Sequence, residues 1–371
     1  MKRSFDYTLF IAVVLLVGFG LTMVYSSSAI LAKEKYHQSA YFLKKEILYA
    51  VIGFIALFVT RKIPYQWYQK IVYPLFILSL LLLVAVFVPH LGQKVGGAHR
   101  WINLAVFSFQ PSELSKLVLV IYLAYALAKK KEKIRSFLIG FVPPMILSGL
   151  FISVVLLQKD LGNAFLMTAT VFILFFIAGA RLSYLTTEVL LAIPAFTLMI
   201  ASVPYRRQRL LAFMNPWAHK NEAGFQLIQS LVAVQRGGFW GQGLGAGKQK
   251  LFYLPEAHTD FIFSVVAEEL GFLGVVIMLV LFGIFIYRTF VIAWKGPDLF
   301  ATYLASGIGI LFGLQGLFNI GVVMGLVPTK GLTLPFVSYG GTSLVMSLMA
   351  VGILLNISSQ QQDPSEGRSR N

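Results

Sequence analysis

The sequence predicts an all-α polytopic membrane protein with about ten transmembrane helices and a long, partly folded extracellular loop between the seventh and eighth. Of its 371 residues, 57% are hydrophobic and only 12% are charged, and the mean hydropathy is +0.77. A chain of this composition cannot hide its apolar surface inside a water-soluble core. The absence of cysteine excludes disulfides, thiolate nucleophiles and cysteine-ligated metals.

The spans are predicted from apolar stretches of membrane-crossing length. The first has no small-residue cleavage site, so we do not expect a cleaved signal peptide. The ten stretches cover residues 7–26, 47–60, 72–89, 112–128, 137–157, 163–180, 184–203, 261–287, 302–326 and 337–357. An even number places both termini on one side. That side holds more Lys and Arg, including five within residues 129–135, which predicts that both termini are cytoplasmic.

The loop 204–260 lies outside under this topology, although it is rich in Lys and Arg. Long loops do not follow the rule that Lys and Arg are concentrated in cytoplasmic loops. Its cations would attract lipid phosphates, for which a pyrophosphate-linked lipid and ordinary headgroups are equally good targets. Its segment RGGFWGQGLGAGKQKL is too irregular for a linker and lacks a nucleotide-binding loop pattern. We therefore expect one membrane domain, 1–359, followed by a disordered cytoplasmic tail, 360–371.

Asp260 is the first candidate for chemistry, because it stands alone at the lip of the eighth span and a carboxylate at a membrane boundary is costly without a role or a partner. Ser264 and Glu268 follow at helical spacing, which predicts a polar stripe along a substrate groove or an ion path. His258 is two residues away, but the two side chains provide too few ligands for a fixed zinc site.

Further charged and aromatic residues lie in or beside the spans. Glu113 and Lys116 share one helix face, either as an ion pair that fixes packing or as a polar pair that lines a cavity. Asp160 either contributes to the site or caps the helix at Asn163. The remaining candidates for substrate contact are Arg100, Trp101, Arg207, Lys250 and Ser338. Trp101 could instead anchor the chain at the interface, and the SYGG segment after Val337 is equally typical of a tight turn.

Six ordered motifs resemble the SEDS proteins of bacterial shape, elongation, division and sporulation. They are GAHRWINLAVFSFQPSELSK, QKDLGN, PYRRQRLLAFMNPW, GFQLIQSLVAVQRGGFWGQGLG, LPEAHTDFIFSVVAEELGFLG and PTKGLTLPFVSYGGTS. The segment TKGLTLPFVSYGG is more similar to the division and sporulation members than to the elongation member. By motif position, Asp260 matches the family's essential aspartate, and Glu113 and Lys116 match its intramembrane pair.

The resemblance implies a ten-helix glycosyltransferase that polymerises lipid II on the outer face of the bacterial cytoplasmic membrane, at the division septum. Its implied partners are a class B penicillin-binding protein, which crosslinks the strand, and other divisome membrane proteins. No nucleic acid and no organic cofactor are expected. A divalent cation, Mg²⁺ or Mn²⁺, is expected to bridge the substrate pyrophosphate rather than to occupy a site made by the protein alone.

The chemistry suits these residue types. As a general base, Asp260 would take the proton of the acceptor sugar's 4-hydroxyl while that oxygen attacks the donor's anomeric carbon with inversion. The pyrophosphate leaving group needs charge neutralisation more than protonation, which Arg100, Arg207, Lys116 or Lys250 could supply. Two other classes stay open at this point. They are a lipid II flippase or other transporter, and a noncatalytic scaffold that recruits the transpeptidase.

Overall fold

The computed structural model describes residues 5–95, 98–103, 108–201, 203–220, 224–250, 254–329 and 331–361. The tail predicted to be disordered lies almost wholly outside the described residues. Thirteen α-helices are found in the described part of the chain: α1 Tyr7–Tyr36, α2 Tyr41–Lys62, α3 Gln66–Lys70, α4 Val72–Ala85, α5 Pro111–Lys129, α6 Val142–Leu157, α7 Leu161–Ile177, α8 Leu182–Ala201, α9 Pro204–Met214, α10 Phe225–Gly237, α11 Ile262–Trp294, α12 Leu299–Val323 and α13 Gly341–Ser359.

Each of the ten predicted apolar stretches coincides with one of these helices. Among the described residues, six helices are long and apolar enough to cross a membrane by themselves, and three further apolar helices are shorter. An all-α polytopic membrane architecture is thereby confirmed, whereas ten crossings stays a prediction. The long loop contains α9 and α10 and a 3₁₀ turn at Pro216–His219.

The helices pack around α5 and α12, whose sides are apolar and buried over most of their length, as expected for central helices. Polar side chains join neighbouring helices. Thr60 of α2 donates to the carbonyl of Met349 in α13 at 3.1 Å, and Asn356 accepts from the amide of Tyr65 at 2.9 Å. Such bonds are a common means of helix association in membranes, where lipid is as apolar as the side chains.

The described ends of the chain lie on one face of the bundle. Near the start of α1, the amide of Asp6 donates to Ser358 of α13 at 3.2 Å, and Arg288 of α11 donates to the Asp6 carboxylate through Nε at 2.9 Å. On α12, twenty-one residues separate the N-cap Asp298 at this face from Asn319. At 1.5 Å per residue this is about 32 Å, close to the thickness of a bilayer's hydrocarbon core.

At the opposite face, a small antiparallel sheet covers part of the bundle. Strands β1 Gly92–Val95, β2 Ala98–Asn103 and β3 Ser108–Phe109 lie in that order, with Gln93 paired to Trp101. The sequence analysis did not predict these strands, because they are short and lie in a loop between two spans. They hold Arg100 and Trp101 over the ends of the helices.

Helix α11 is broken at Gly271, whose φ of 63° and ψ of −161° are not helical. We call residues 262–270 the outer piece and residues 272–294 the inner piece. The inner piece is about 33 Å long at 1.5 Å per residue. Its end residues, Phe272 and Trp294, are 57% and 90% exposed, and Trp is a residue that is enriched at membrane interfaces.

Candidate active site

A cavity of about 660 Å³ opens on the face opposite the described termini. Several elements build its wall: α2, the small sheet, the starts of α5, α7 and α13, helix α9, the loop before α11 and the loop after α12. Its lining side chains include Lys45, Tyr49, Gln93, Arg100, Trp101, Asn103, Gln110, Glu113, Asn163, Arg209, Gln226, Glu256, Asp260, Gln315, Thr333, Tyr339, Thr342 and Ser343. The wall is therefore polar and carries both signs of charge.

Asp260 lies in this wall, in the loop that leads into α11. Burial raises the pKa of its carboxyl from 3.8 to about 7, and nearby Glu256 adds to the rise, while Arg209 and Arg100 oppose it. A carboxyl with a pKa near neutral pH is well matched to accept a proton. The sequence analysis singled out this residue, and the structure places it in the cavity.

The backbone around Asp260 is held at two points. Asn319 of α12 donates through Nδ2 to the carbonyl of Asp260 at 2.8 Å and to that of Leu332 at 2.7 Å. The amide of Tyr339 donates to the carbonyl of His258 at 2.9 Å. The loop after α12 comes so close that a Cβ added at Gly331 would lie 2.8 Å from Oδ2 of Asp260. Asp260 is thus positioned by α12 and by the loop after it, as well as by its own loop.

Glu113 and Lys116 form the ion pair that their spacing predicts, with Nζ and Oε1 2.8 Å apart. Lys116 also donates to Gln315 of α12 at 3.1 Å, and Gln315 donates to the carbonyl of Thr333 at 2.9 Å. Glu113 and Gln315 line the cavity, whereas Lys116 is buried behind them. The pair therefore both fixes helix packing and contributes to the cavity wall, so the two predicted roles are compatible.

Arg100 and Asp160 come together near the rim, with Nε and Oδ2 3.9 Å apart. Asp160 also caps α7, because its Oδ1 accepts from the amide of Asn163 at 3.2 Å and its Oδ2 accepts from the Asn163 side chain at 2.9 Å. Asn163 lines the cavity, and its Oδ1 has no hydrogen-bond partner among the described residues.

Arg207 does not reach the cavity: it is exposed on α9, whereas Arg209 is partly buried and lines the wall. Residues two positions apart on a helix point to nearly opposite sides, because the helix turns by about 100° per residue. Because residues 204–260 are predicted as a loop, the sequence offers no helix phase that distinguishes the two arginines. Gln226 of α10, which also lines the cavity, could not be predicted for the same reason.

The stripe predicted for Asp260, Ser264 and Glu268 does not line a groove. Helix α11 begins at Ile262, so Asp260 is not on the helix. The Ser264 hydroxyl donates to the carbonyl of Phe261 at 2.6 Å, and the Glu268 carboxylate accepts from the amide of Lys248 at 2.9 Å. Both side chains are buried, and the glycine-rich segment supplies the amide that bonds to Glu268.

Three other candidates also lie away from the cavity lining. Lys250 is buried and forms an ion pair with Glu269, because the glycine-rich segment turns it inward. His258 is buried among aromatic rings, 4.7 Å from Phe42 and 5.5 Å from Tyr339 between centroids. The Ser338 hydroxyl accepts a hydrogen bond from the amide of Leu334 at 2.8 Å. This bond favours the tight turn over substrate contact, the two alternatives predicted for this segment.

A divalent cation would depend on the substrate for most of its ligands. The described residues contain no group of three or more His, Cys, Asp or Glu side chains suited to a metal. Glu256 and Asp260 both line the cavity, and Mg²⁺ is commonly held by one or two carboxylates together with substrate phosphates. The carboxylates of this wall fit that mode of binding.

Comparisons with known proteins agree with these motifs. Residues 7–363 match the profile of the FtsW/RodA/SpoVE family, described as cell cycle proteins. A probable peptidoglycan glycosyltransferase FtsW from Geobacter sp. (strain M18) is 47% identical over 98% of this chain and 99% of the relative. Stage V sporulation protein E from Bacillus subtilis (strain 168) is 43% identical over 96% of this chain and 98% of the relative.

Solved structures show the same fold. One comes from work on the structural coordination of polymerization and crosslinking by a peptidoglycan synthase complex. It has a TM-score of 0.78 and 31% identity and covers 97% of this chain and 99% of the other. Rod shape determining protein RodA from Thermus thermophilus has a TM-score of 0.72 and 29% identity and covers 97% of this chain and 98% of the other. The chain therefore belongs to the FtsW/RodA/SpoVE family.

Proposed function

We propose that this chain is a membrane glycosyltransferase that polymerises lipid II into peptidoglycan strands, with inversion at the anomeric carbon. One observation carries the proposal: Asp260 faces a cavity of about 660 Å³ with its pKa raised to about 7. Two relatives that match 98% and 97% of this chain are named as probable peptidoglycan glycosyltransferases, which gives that carboxylate a reaction to perform.

Asp260 acts as general base in this scheme. Its carboxylate takes the proton of the acceptor's 4-hydroxyl as the hydroxyl oxygen bonds to the donor's anomeric carbon. The bond from that carbon to the pyrophosphate oxygen breaks, and polyprenyl pyrophosphate leaves with the electron pair. A base with a pKa near 7 is about half ionised at neutral pH and is still basic enough to accept the proton.

Charge on the departing pyrophosphate is offset by cations of the cavity wall. Lys45, Arg100 and Arg209 line the cavity from three different elements. Lys116 acts behind them through Glu113 and Gln315 rather than by direct contact. A divalent cation that arrives with the pyrophosphate would supply further charge neutralisation.

The sugars are held by polar and aromatic groups on the same wall. Trp101 offers a ring beside Arg100, and Asn163 contributes a polar side chain to the same wall. These contacts orient the acceptor hydroxyl toward Asp260, which is where positioning contributes most to rate.

The proposed setting is the bacterial cytoplasmic membrane at the division septum, with both termini in the cytoplasm and the cavity on the outer face. A class B penicillin-binding protein and other divisome membrane proteins are the proposed partners. The matched peptidoglycan synthase complex, in which polymerization and crosslinking are coordinated, supports a transpeptidase partner. The cavity and the described termini lie on opposite faces, which is consistent with this topology.

Purified protein in detergent with labelled lipid II tests the proposal, with and without the cognate transpeptidase. We expect glycan strands from the wild type and from Glu34→Gln, a change at an exposed glutamate of α1, and none from Asp260→Asn. A flippase makes no glycan in detergent, where no compartments exist. A scaffold would give equal results for wild type and Asp260→Asn, and either outcome would reject the assignment.

A further inference from the structure

The break in α11 is filled by backbone from the glycine-rich segment. A helix break leaves carbonyls on one side and amides on the other without helical partners. We call residues 237–250 the insert. The amides of Gln242 and Gly243 donate to the carbonyls of Glu268 and Glu269 at 2.9 and 3.0 Å. From the other side of the break, the amide of Phe272 donates to the carbonyl of Gly238 at 2.9 Å.

The break requires glycine at position 271. Its positive φ combined with an extended ψ is a conformation that other residues rarely adopt. A Cβ at this position would also lie 2.3 Å from the amide nitrogen of Gly241, so a side chain would push the insert out of the break. Glycine at position 271 is thus needed both for the backbone conformation of the break and for the close approach of the insert.

Two buried carboxylates fasten the insert from the side of α11. Glu268 and Glu269 are 1% and 0% exposed. Glu268 accepts from the amides of Lys248 at 2.9 Å and Gln249 at 3.3 Å. Glu269 accepts from the amide of Gly245 at 3.1 Å and forms an ion pair with Lys250. Neither carboxylate lines the cavity, so neither meets the substrate.

The outer piece connects this fastening to the candidate active site. At its break end, Glu269 accepts from Ser26 of α1 at 2.5 Å. At its other end, the Asp260 carbonyl is held by Asn319 of α12. The piece has nine residues, a length of about 14 Å, and links α1 to α12 across the outer end of the bundle.

We infer that Glu268 and Glu269 are positioning residues: by fastening the insert into the break of α11, they fix the direction of the outer piece and hence the place of Asp260 in the cavity. The inference rests on the proposed polymerase function. If the insert loosens, the unpaired backbone groups favour a straighter α11, and the outer piece turns away from α12. A displacement of about 1 Å at a reacting group is enough to lower a rate about 100-fold.

Steady-state polymerisation with lipid II separates positioning from substrate binding. Glu269→Gln leaves Lys250 buried without a counter-charge, and Lys250→Met leaves the carboxylate without one. Each single change is expected to lower kcat roughly 10-fold or more, with KM for lipid II within about twofold. The double variant is expected to be less impaired than either single variant, since a partnered pair is non-additive. Glu34→Gln is the matched control.

Ser26→Ala serves as a second variant that removes the hydrogen bonds of Ser26 to Glu269 and from Lys250 without leaving any charge unpaired. It is expected to lower kcat by a smaller factor with KM unchanged, and it decides the question if the charge variants do not fold. Unchanged kcat in the folded variants, a rise in KM alone, or strictly additive losses would overturn the inference. If the wild type itself makes no glycan, the proposed function fails instead, so the two failures are distinguishable.

Discussion

The pH dependence of polymerisation gives the most direct test of the role of Asp260. Because burial and Glu256 raise the pKa of this carboxyl to about 7, the active, ionised form should appear as the pH rises through neutrality. One unit below the pKa about one tenth of the groups are ionised. The rate at pH 6 should therefore be about one tenth of its plateau above pH 8.

Arg209 provides the perturbation. Its positive charge lowers the pKa of Asp260, so Arg209→Gln should raise that pKa and move the acid limb of the rate profile to higher pH. Arg207→Gln is the control, because Arg207 lies exposed on the same helix and away from the cavity. The assay is kcat for lipid II polymerisation between pH 5.5 and 9. A limb near pH 4, a flat profile, or equal shifts for both variants would refute the reasoning.

Three further changes follow from the same geometry. Asp260→Asn should raise Tm in detergent by a few degrees at pH 8. The folded pKa of the Asp260 carboxyl exceeds its unfolded pKa, so this group destabilises the folded protein as the pH rises from about 4 to 7. Scans at pH 5 should show a smaller gain in Tm, and a lower Tm at pH 8 would contradict this. Gly331→Ala places a methyl group 2.8 Å from the Asp260 carboxylate and should lower kcat on the order of 10- to 100-fold, whereas Gly149→Ala, which meets nothing within 4 Å, should not. Lys116→Met leaves the buried Glu113 carboxylate without a counter-charge and should destabilise the protein by about 3–5 kcal/mol, measured by thermal unfolding. The control Lys129→Met, at the exposed end of the same helix, should leave Tm unchanged.

Much of this arrangement could be predicted from the sequence. The apolar stretches were enough to locate long helices of a polytopic membrane protein, because hydrophobic length is a strong signal. The i, i+3 spacing of Glu113 and Lys116 predicted the pair that the structure contains. Asp260 stood out because a lone carboxylate beside an apolar helix needs an explanation. Each of these predictions depends on neighbours within a few positions of one another.

The errors concern residues whose role depends on distant contacts. Lys250 and Glu268 were predicted to meet substrate, but each is satisfied by a segment about nineteen residues away that no local pattern could bring together. Arg209 was overlooked in favour of Arg207 because α9 had not been recognised as a helix. Gly271 sits within an apolar stretch, and only its positive φ shows that α11 is two pieces.

The inner piece of α11 should also make the protein sensitive to the lipids around it. Its exposed aromatic ends, Phe272 and Trp294, match a hydrocarbon layer of ordinary thickness, and shorter acyl chains would force this segment to tilt. Tilt would be transmitted to the Gly271 junction, where the insert is bonded on both sides. Vesicles made from lipids of graded chain length would then differ in glycan output even though none of those lipids is a substrate.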